Sequence, residues 1–193
     1  MVLRPEIRQA RRDDAPTLDV LRRQAVEAAF GDAYDRGAVA DVVASASTDL
    51  ETWTGDDRYE VLVVETDVTP VGYGALERCG TGFPRNATDV GSDAPGNATD
   101  AGTDAPGDSA PAGSGSTARL VALYTSPDHE GEGYATALLN QLVATARAGG
   151  CDAVRAVVPT VSAGFFEKRD FEADGGGDAE WHGLPAVGLV RPL

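Results

Sequence analysis

The feature that most constrains the fold is a glycine-containing turn between an apolar segment and a helical pattern. The segment LVALYTSPD (120–128) is followed directly by HEGEGYATALL (129–139). Gly131 and Gly133 have no Cβ, so the chain can bend there and a ligand can approach its amides closely. The first amides of a helix have no acceptor within the helix and carry a partial positive charge. The sequence therefore predicts an anion site, suited to a diphosphate, at the amides of residues 131–136.

Two common phosphate motifs fit this turn poorly. A P-loop requires GxxxxGK[ST], which the chain does not contain. A dinucleotide fingerprint requires GxGxxG, and Thr136 stands where its third glycine would be. The strand before the turn also comes late in the chain for a dinucleotide fingerprint. We therefore do not predict either motif.

The remaining apolar patterns predict an α/β fold with a mixed central sheet flanked by helices. The predicted strands are EIRQA (6–10), YEVLVVETD (59–67), VGYGALER (71–78), ARLVALYTS (118–126), DAVRAVV (152–158) and a closing strand or hairpin, WHGLPAVGLVRPL (181–193). The second and third of these are joined by a short hairpin connection at VTP (68–70). The predicted helices are one capped by Asp13 or Asp14, one over about 36–51, YATALLNQLVATARAGG (134–150) and SAGFFEKRD (162–170).

A low-complexity segment interrupts this series between two strands. Residues 78–117 consist almost entirely of Gly, Ala, Ser, Thr, Asp, Asn and Pro, and an eleven-residue unit occurs at 86–96 and again at 97–107. Such a segment buries too little apolar surface to offset its ordering entropy, and a long loop is inexpensive to close. We predict one domain over residues 1–193 with a disordered acidic insertion at 78–117. The alternative is that the insertion is an arm that binds a partner.

The charge balance is strongly acidic. The chain has 31 Asp and Glu against 16 Lys and Arg, for a net charge of −15, spread along its whole length. This composition resembles that of haloarchaeal proteins, whose surface carboxylates are screened in concentrated salt. It makes a nucleic-acid partner improbable, because such binding requires clustered basic residues. We expect a halophilic protein.

The chain shows no export or membrane signal, so we expect a cytoplasmic protein that binds no membrane.

Cys79 and Cys151 are far apart in the sequence and have no CxxC spacing, and we predict two ordinary thiols. No group of His, Cys and carboxylates has the spacing of metal ligands, so we predict no metal. Monomer and homodimer both remain open.

Four segments resemble the GCN5-related N-acetyltransferase (GNAT) family. Residues 130–135, EGEGYA, resemble its acetyl-coenzyme A signature [QR]xxGx[GA], and residues 123–127, LYTSP, resemble the LYVxP strand before it. Residues 165–171, FFEKRDF, are similar to the FYexxGF element, and IRQARRDDAPTLDVLR (7–22) matches the usual first strand and helix. The resemblance covers nearly the whole chain except the insertion.

The resemblance implies an enzyme that takes the acetyl group from acetyl-coenzyme A and passes it to an amine of a small molecule or peptide. It implies that backbone groups of Leu123 and Thr125 bind the pantetheine arm. The pyrophosphate would then be held by the amides of Gly131, Glu132, Gly133, Tyr134, Ala135 and Thr136.

Two departures from the family pattern bear on the chemistry. Glu130 stands where the family has Gln or Arg, and Phe166 stands where it has a proton-donating Tyr. Candidate bases and hydroxyl groups are present, and none is assigned as catalytic: Glu65, Glu77, His129, Tyr124 and Tyr134. Two functions stay open at this point, direct acetyl transfer to a primary amine and acyl-coenzyme A binding without turnover.

Overall fold

The computed structural model describes residues 5–45, 49–79, 116–177 and 179–193. Most of the predicted insertion therefore lies outside the described residues. Within them the strands are β1 (Glu6–Gln9), β2 (Tyr59–Thr66), β3 (Thr69–Glu77), β4 (Thr117–Thr125), β5 (Ala153–Pro159), β6 (Glu172–Ala173), β7 (Ala179–Trp181) and β8 (Leu184–Pro192). The α-helices are α1 (Ala15–Phe30), α2 (Arg36–Ser45), α3 (Asp49–Trp53), α4 (Tyr134–Ala148) and α5 (Ala163–Glu167).

The strands form one mixed sheet in the order β1-β2-β3-β4-β5-β8-β6, with β7 paired to β8. Only β4 and β5 run parallel among the described pairs, and α4 makes the crossover between them. The predicted α/β architecture with a mixed central sheet is confirmed.

Each face of the sheet is covered by its own helices. Strand β2 shows how the sequence divides between the faces, since side chains alternate along a strand. Leu62 packs on the face covered by α4 and α5, and Val63 packs on the face covered by α1 and α3. Leu138, Leu139 and Leu142 of α4, which the helical pattern placed together, are all fully buried.

The first two predicted helices compare with the structure as follows. The helix expected over about 36–51 corresponds to α2 and α3, and residues 46–48 between them lie outside the described part. Asp14 precedes α1 as predicted, but its carboxylate does not cap that helix. It accepts hydrogen bonds from the Arg8 guanidinium (2.7 Å) and the Arg11 amide (2.7 Å). The bond from Arg8 is the main reason why the pKa of Asp14 lies below its usual value.

The β2–β3 connection is a two-residue turn at Asp67–Val68, one residue earlier than predicted. Both residues have positive φ, 51° and 62°. A β-branched side chain is strained there, and hairpins of this kind favour Asp-Gly.

We expect Val68→Gly to raise the free energy of unfolding by about 0.5–1 kcal/mol in a urea titration. The same change at Val20, exposed on α1, should lower it, and equal effects at the two sites would contradict the strain.

The prediction of two free thiols is wrong. Cys79 and Cys151 form a disulfide, with their Cα atoms 5.7 Å apart. Cys79 lies two residues after the end of β3 and Cys151 lies two residues before the start of β5, and β4 pairs with both of these strands. The sheet therefore brings together two cysteines that are 72 residues apart in the sequence.

Candidate functional site

The glycine turn (residues 130–136) lies at the amino end of α4, where the sequence placed it. Gly131 and Gly133 have positive φ, 79° and 86°, and a Cβ built on either would meet nothing within 4 Å. No side chain caps the helix, which begins at Tyr134. The amides of its first turn have no acceptor within the helix, so they are available to the oxygens of an anion.

The second part of the site is a divergence of the two parallel strands. Strand β4 pairs with β5 from Thr117 to Leu120, and along the rest of β4 no pairing with β5 is described. Val121 is an extra residue in β4, because Leu120 and Ala122 pair with consecutive residues of β3. Such a bulge bends a strand and increases its twist. The bulge lies at the point where the strands separate, and beyond Leu120 no described strand pairs with the β5 side of β4.

A cleft opens between the separated strands. Its empty volume is about 430 Å³, and it is open to solvent. Its lining is apolar and aromatic and comes from both strands, α1, α5 and β7. The lining residues include Leu123, Phe166, Phe30, Tyr124 and Trp181.

The structure brings the two predicted backbone regions to the same end of the sheet. Leu123 and Thr125 lie in the last part of β4, paired on their other side with Gly74 and Gly72 of β3. A single 3-10 turn, Pro127–His129, connects this end of β4 to the glycine turn. A ligand bound along β4 after Leu120 would therefore lead directly to the amides of α4.

The acidic side chains of the turn, Glu130 and Glu132, are both exposed. The Glu132 carboxylate accepts a hydrogen bond from the Tyr134 hydroxyl and lies 3.3 Å from His129 Nδ1. Both contacts lower the pKa of Glu132, and the bond from Tyr134 has the larger effect. The same bond raises the pKa of Tyr134. Glu132 is thus a charged side chain held by its own neighbours.

A cation that sequence reasoning missed lies at the first turn of α4. Arg169, which follows α5, donates to Thr136 Oγ1 from Nη2 (2.6 Å) and from Nε (3.1 Å). It also donates from Nη1 to the Phe165 carbonyl (2.5 Å) and stacks on the Phe165 ring at 3.6 Å. The segment FFEKRDF contained the residue, but its proximity to Thr136 depends on the packing of α5 against α4.

The two carboxylates considered as bases are engaged elsewhere. Glu65 accepts a 2.5 Å hydrogen bond from Arg8, and Glu77 forms an ion pair with Arg119 at 3.0 Å. Neither lines the cleft, and among the described lining residues there is no carboxylate and no histidine. Phe166 does line the cleft and is 5% exposed, so a phenyl ring occupies the place of the family's tyrosine.

Comparison with known proteins decides the family. The profile of the acetyltransferase (GNAT) family matches residues 23–171. The chain belongs to this family. It is therefore a GNAT acetyltransferase, and acetyl-coenzyme A is its co-substrate. No curated protein sequence matches the chain.

Solved structures show the same fold in distant sequences. The PaiA N-acetyltransferase of Thermoplasma acidophilum, solved in complex with coenzyme A, is 14% identical with a TM-score of 0.69, over 99% of this chain and 100% of that one. A GCN5-related N-acetyltransferase of Rhodopseudomonas palustris is 17% identical with a TM-score of 0.69, over 100% and 99%. An acetyltransferase of Thermus thermophilus is 22% identical with a TM-score of 0.58, over 100% and 99%.

Two kinds of feature are absent from the described part of this GNAT chain. No group of three or more His, Cys, Asp and Glu side chains there could hold a metal ion. No described helix is both long and apolar enough to cross a membrane.

Proposed function

We propose that the chain passes the acetyl group of acetyl-coenzyme A directly to a primary amine. The observation that carries this proposal is that β4, beyond its described pairing with β5, leads into the uncapped first turn of α4. The first feature offers peptide groups to the amide-containing pantetheine arm, and the second offers amides to the pyrophosphate. We assign the pantetheine to Leu123 and Thr125 and the pyrophosphate to the amides of Gly131, Glu132, Gly133, Tyr134, Ala135 and Thr136.

The glycine turn fits such a group in shape as well as in charge. Gly131 and Gly133 both have positive φ and the space beside each is open, while the Glu132 amide between them makes only a long hydrogen bond, 3.4 Å, to the His129 carbonyl. A side chain there would be strained and would occupy that space. Acetyl-coenzyme A supplies an activated thioester when it is bound.

The residues of the chain would serve direct transfer in two ways. Backbone N–H groups of β4 after Leu120 can stabilise the negative charge that develops on the thioester carbonyl oxygen, because the sheet holds them in place before the reaction. The largely apolar lining of the cleft would shield a bound acyl group in part from water. Phe166 has no proton to give, so the departing thiolate is protonated by another group. Tyr124 and Ser162 are the hydroxyl-bearing residues in the described lining.

We also propose that residues 1–193 form one domain with an insertion at 78–117, whose two described ends meet at the end of α4 opposite the coenzyme site. The described residues on both sides of the insertion lie near the carboxyl end of α4. Cys79 is bonded to Cys151, and Ser116 Oγ donates to the Gly150 carbonyl at 2.9 Å. The glycine turn lies at the other end of this fifteen-residue helix, about 22 Å away.

Release of free thiol tests the transfer step. We expect acetyl-coenzyme A to be consumed when a panel of primary amines is added, with thiol release that saturates with the amine. The assay should be run in concentrated KCl, because the net charge of −15 is expected to destabilise the fold in dilute buffer. The proton-donating residue is absent from its usual place, so turnover is expected to be slow and must be compared with the rate without protein.

The alternative is a coenzyme-binding protein without turnover, which Phe166 and Glu130 favour. Saturable binding of acetyl-coenzyme A with no amine-dependent thiol release, across amines of different size and charge, would support that alternative. It would contradict the proposed transfer.

A further inference from the structure

The glycine turn carries more negative than positive side chains, which is unusual for a site that must hold a diphosphate. Asp128, Glu130 and Glu132 all lie in or next to it, and each is exposed. The family's Gln or Arg is replaced by Glu130, so the turn itself lacks the usual cationic or neutral partner. A diphosphate held there needs a positive group from another segment.

Arg169 has the position and the rigidity to be that group. Its three hydrogen bonds to Thr136 and Phe165, together with stacking on the Phe165 ring, fix the guanidinium at the first turn of α4. Thr136 is the last residue of the glycine turn. The neighbouring Asp170 does not neutralise Arg169, because its carboxylate is 83% exposed and pairs with Arg191 at 3.3 Å.

The described hydrogen bonds of the Arg169 guanidinium do not use all of its N–H groups. A guanidinium has five N–H groups, and the bonds to Thr136 and Phe165 use three of them. Two donors remain, one on each terminal nitrogen, which is the arrangement that binds two phosphate oxygens at once. The Thr136 hydroxyl accepts both bonds from Arg169, so its own hydrogen is available to donate.

We propose that Arg169 is a binding residue for the diphosphate of coenzyme A and provides the positive charge that the glycine turn lacks. This inference rests on the proposed function, because it takes residues 131–136 as the pyrophosphate site. It adds a side chain from the segment after α5 to a site that is otherwise made of backbone.

The test is a pair of ligands, of which only coenzyme A carries the diphosphate and its 3′-phosphoadenosine; dephospho-coenzyme A, which keeps the diphosphate and lacks the 3′-phosphate, separates those two groups. Coenzyme A and pantetheine are each titrated into the full chain and into Arg169→Gln. We expect the substitution to weaken coenzyme A about tenfold, the value of a charge-assisted hydrogen bond, and to change pantetheine less than about twofold. Lys168→Gln is the matched control: it removes the same charge from the adjacent exposed residue and should leave both affinities unchanged.

A second variant and a melting curve keep the result interpretable. Arg169→Lys keeps the charge without the fork of donors, so its coenzyme A affinity should lie between those of the other two proteins. Thermal unfolding of each variant shows whether the domain is still folded. If Arg169→Gln weakens both ligands equally, or Lys168→Gln weakens coenzyme A as much, the proposal is wrong. If the unchanged protein binds no coenzyme A, the proposed function fails and this inference fails with it.

Discussion

Reduction of the Cys79–Cys151 disulfide is expected to lower the free energy of unfolding by about 4 kcal/mol, the value for a closed loop of this length. The bond spans 72 residues, including the whole segment outside the described residues between β3 and β4. It restricts the unfolded chain much more than the folded one, in which the sheet already holds the two residues together. A loss of this size is a large share of the stability of an ordinary domain.

Urea titration with and without reductant measures this effect. The double variant Cys79→Ala/Cys151→Ala should resemble the reduced protein and should not respond to reductant. Cys151 is 6% exposed, so alanine, which adds no buried polar group, is the appropriate replacement. Two thiols that titrate in the native, unreduced protein, or a stability that reductant leaves unchanged, would show that the bond does not form.

Gly133→Ala is expected to weaken coenzyme A binding about 100-fold, which corresponds to the loss of one to two charge-assisted hydrogen bonds. Gly133 has φ of 86° immediately before α4. Alanine in this conformation is strained by about 1–2 kcal/mol, so the turn would relax and its amides would no longer converge on one point. The Cβ would also project into the open space that the diphosphate is proposed to occupy.

Gly150 provides the matched control at the other end of the same helix. Its φ is 77° and a Cβ there would also meet nothing within 4 Å. Gly150→Ala should therefore lower the stability about as much as Gly133→Ala while leaving coenzyme A affinity unchanged. Equal affinities for the two variants, measured by calorimetry, would show that the glycine turn is not the binding site.

The sequence was sufficient for features that depend on neighbours along the chain. The strand, the glycine turn and helix α4 follow one another within 32 residues, 117–148, and each has a local signal: an apolar run, glycines at positive φ and a helical period. The closing segment was predicted as a strand or a hairpin, and it is a hairpin in which His182 and Gly183 form the turn with positive φ at both residues. Such signals do not depend on how distant segments pack.

The features that the sequence could not provide depend on register between distant segments. The bulge at Val121 exists only relative to β3, and the cleft exists only because β4 and β5 stop pairing after Leu120. The same holds for the disulfide and for the contact of Arg169 with Thr136. Glu65 and Glu77 were plausible bases in the sequence because their arginine partners come from β1 and β4, 57 and 42 residues away.

Calorimetric titration of coenzyme A into the unchanged chain in concentrated KCl, with pantetheine as the reference ligand, tests the central claim most directly. Coenzyme A should bind with a stoichiometry of one to one. Its affinity should be at least about 100-fold higher than that of pantetheine, because the backbone amides at the amino end of α4 bind the diphosphate that pantetheine lacks. No saturable heat with coenzyme A, or equal affinity for the two ligands, would contradict a diphosphate site at the glycine turn.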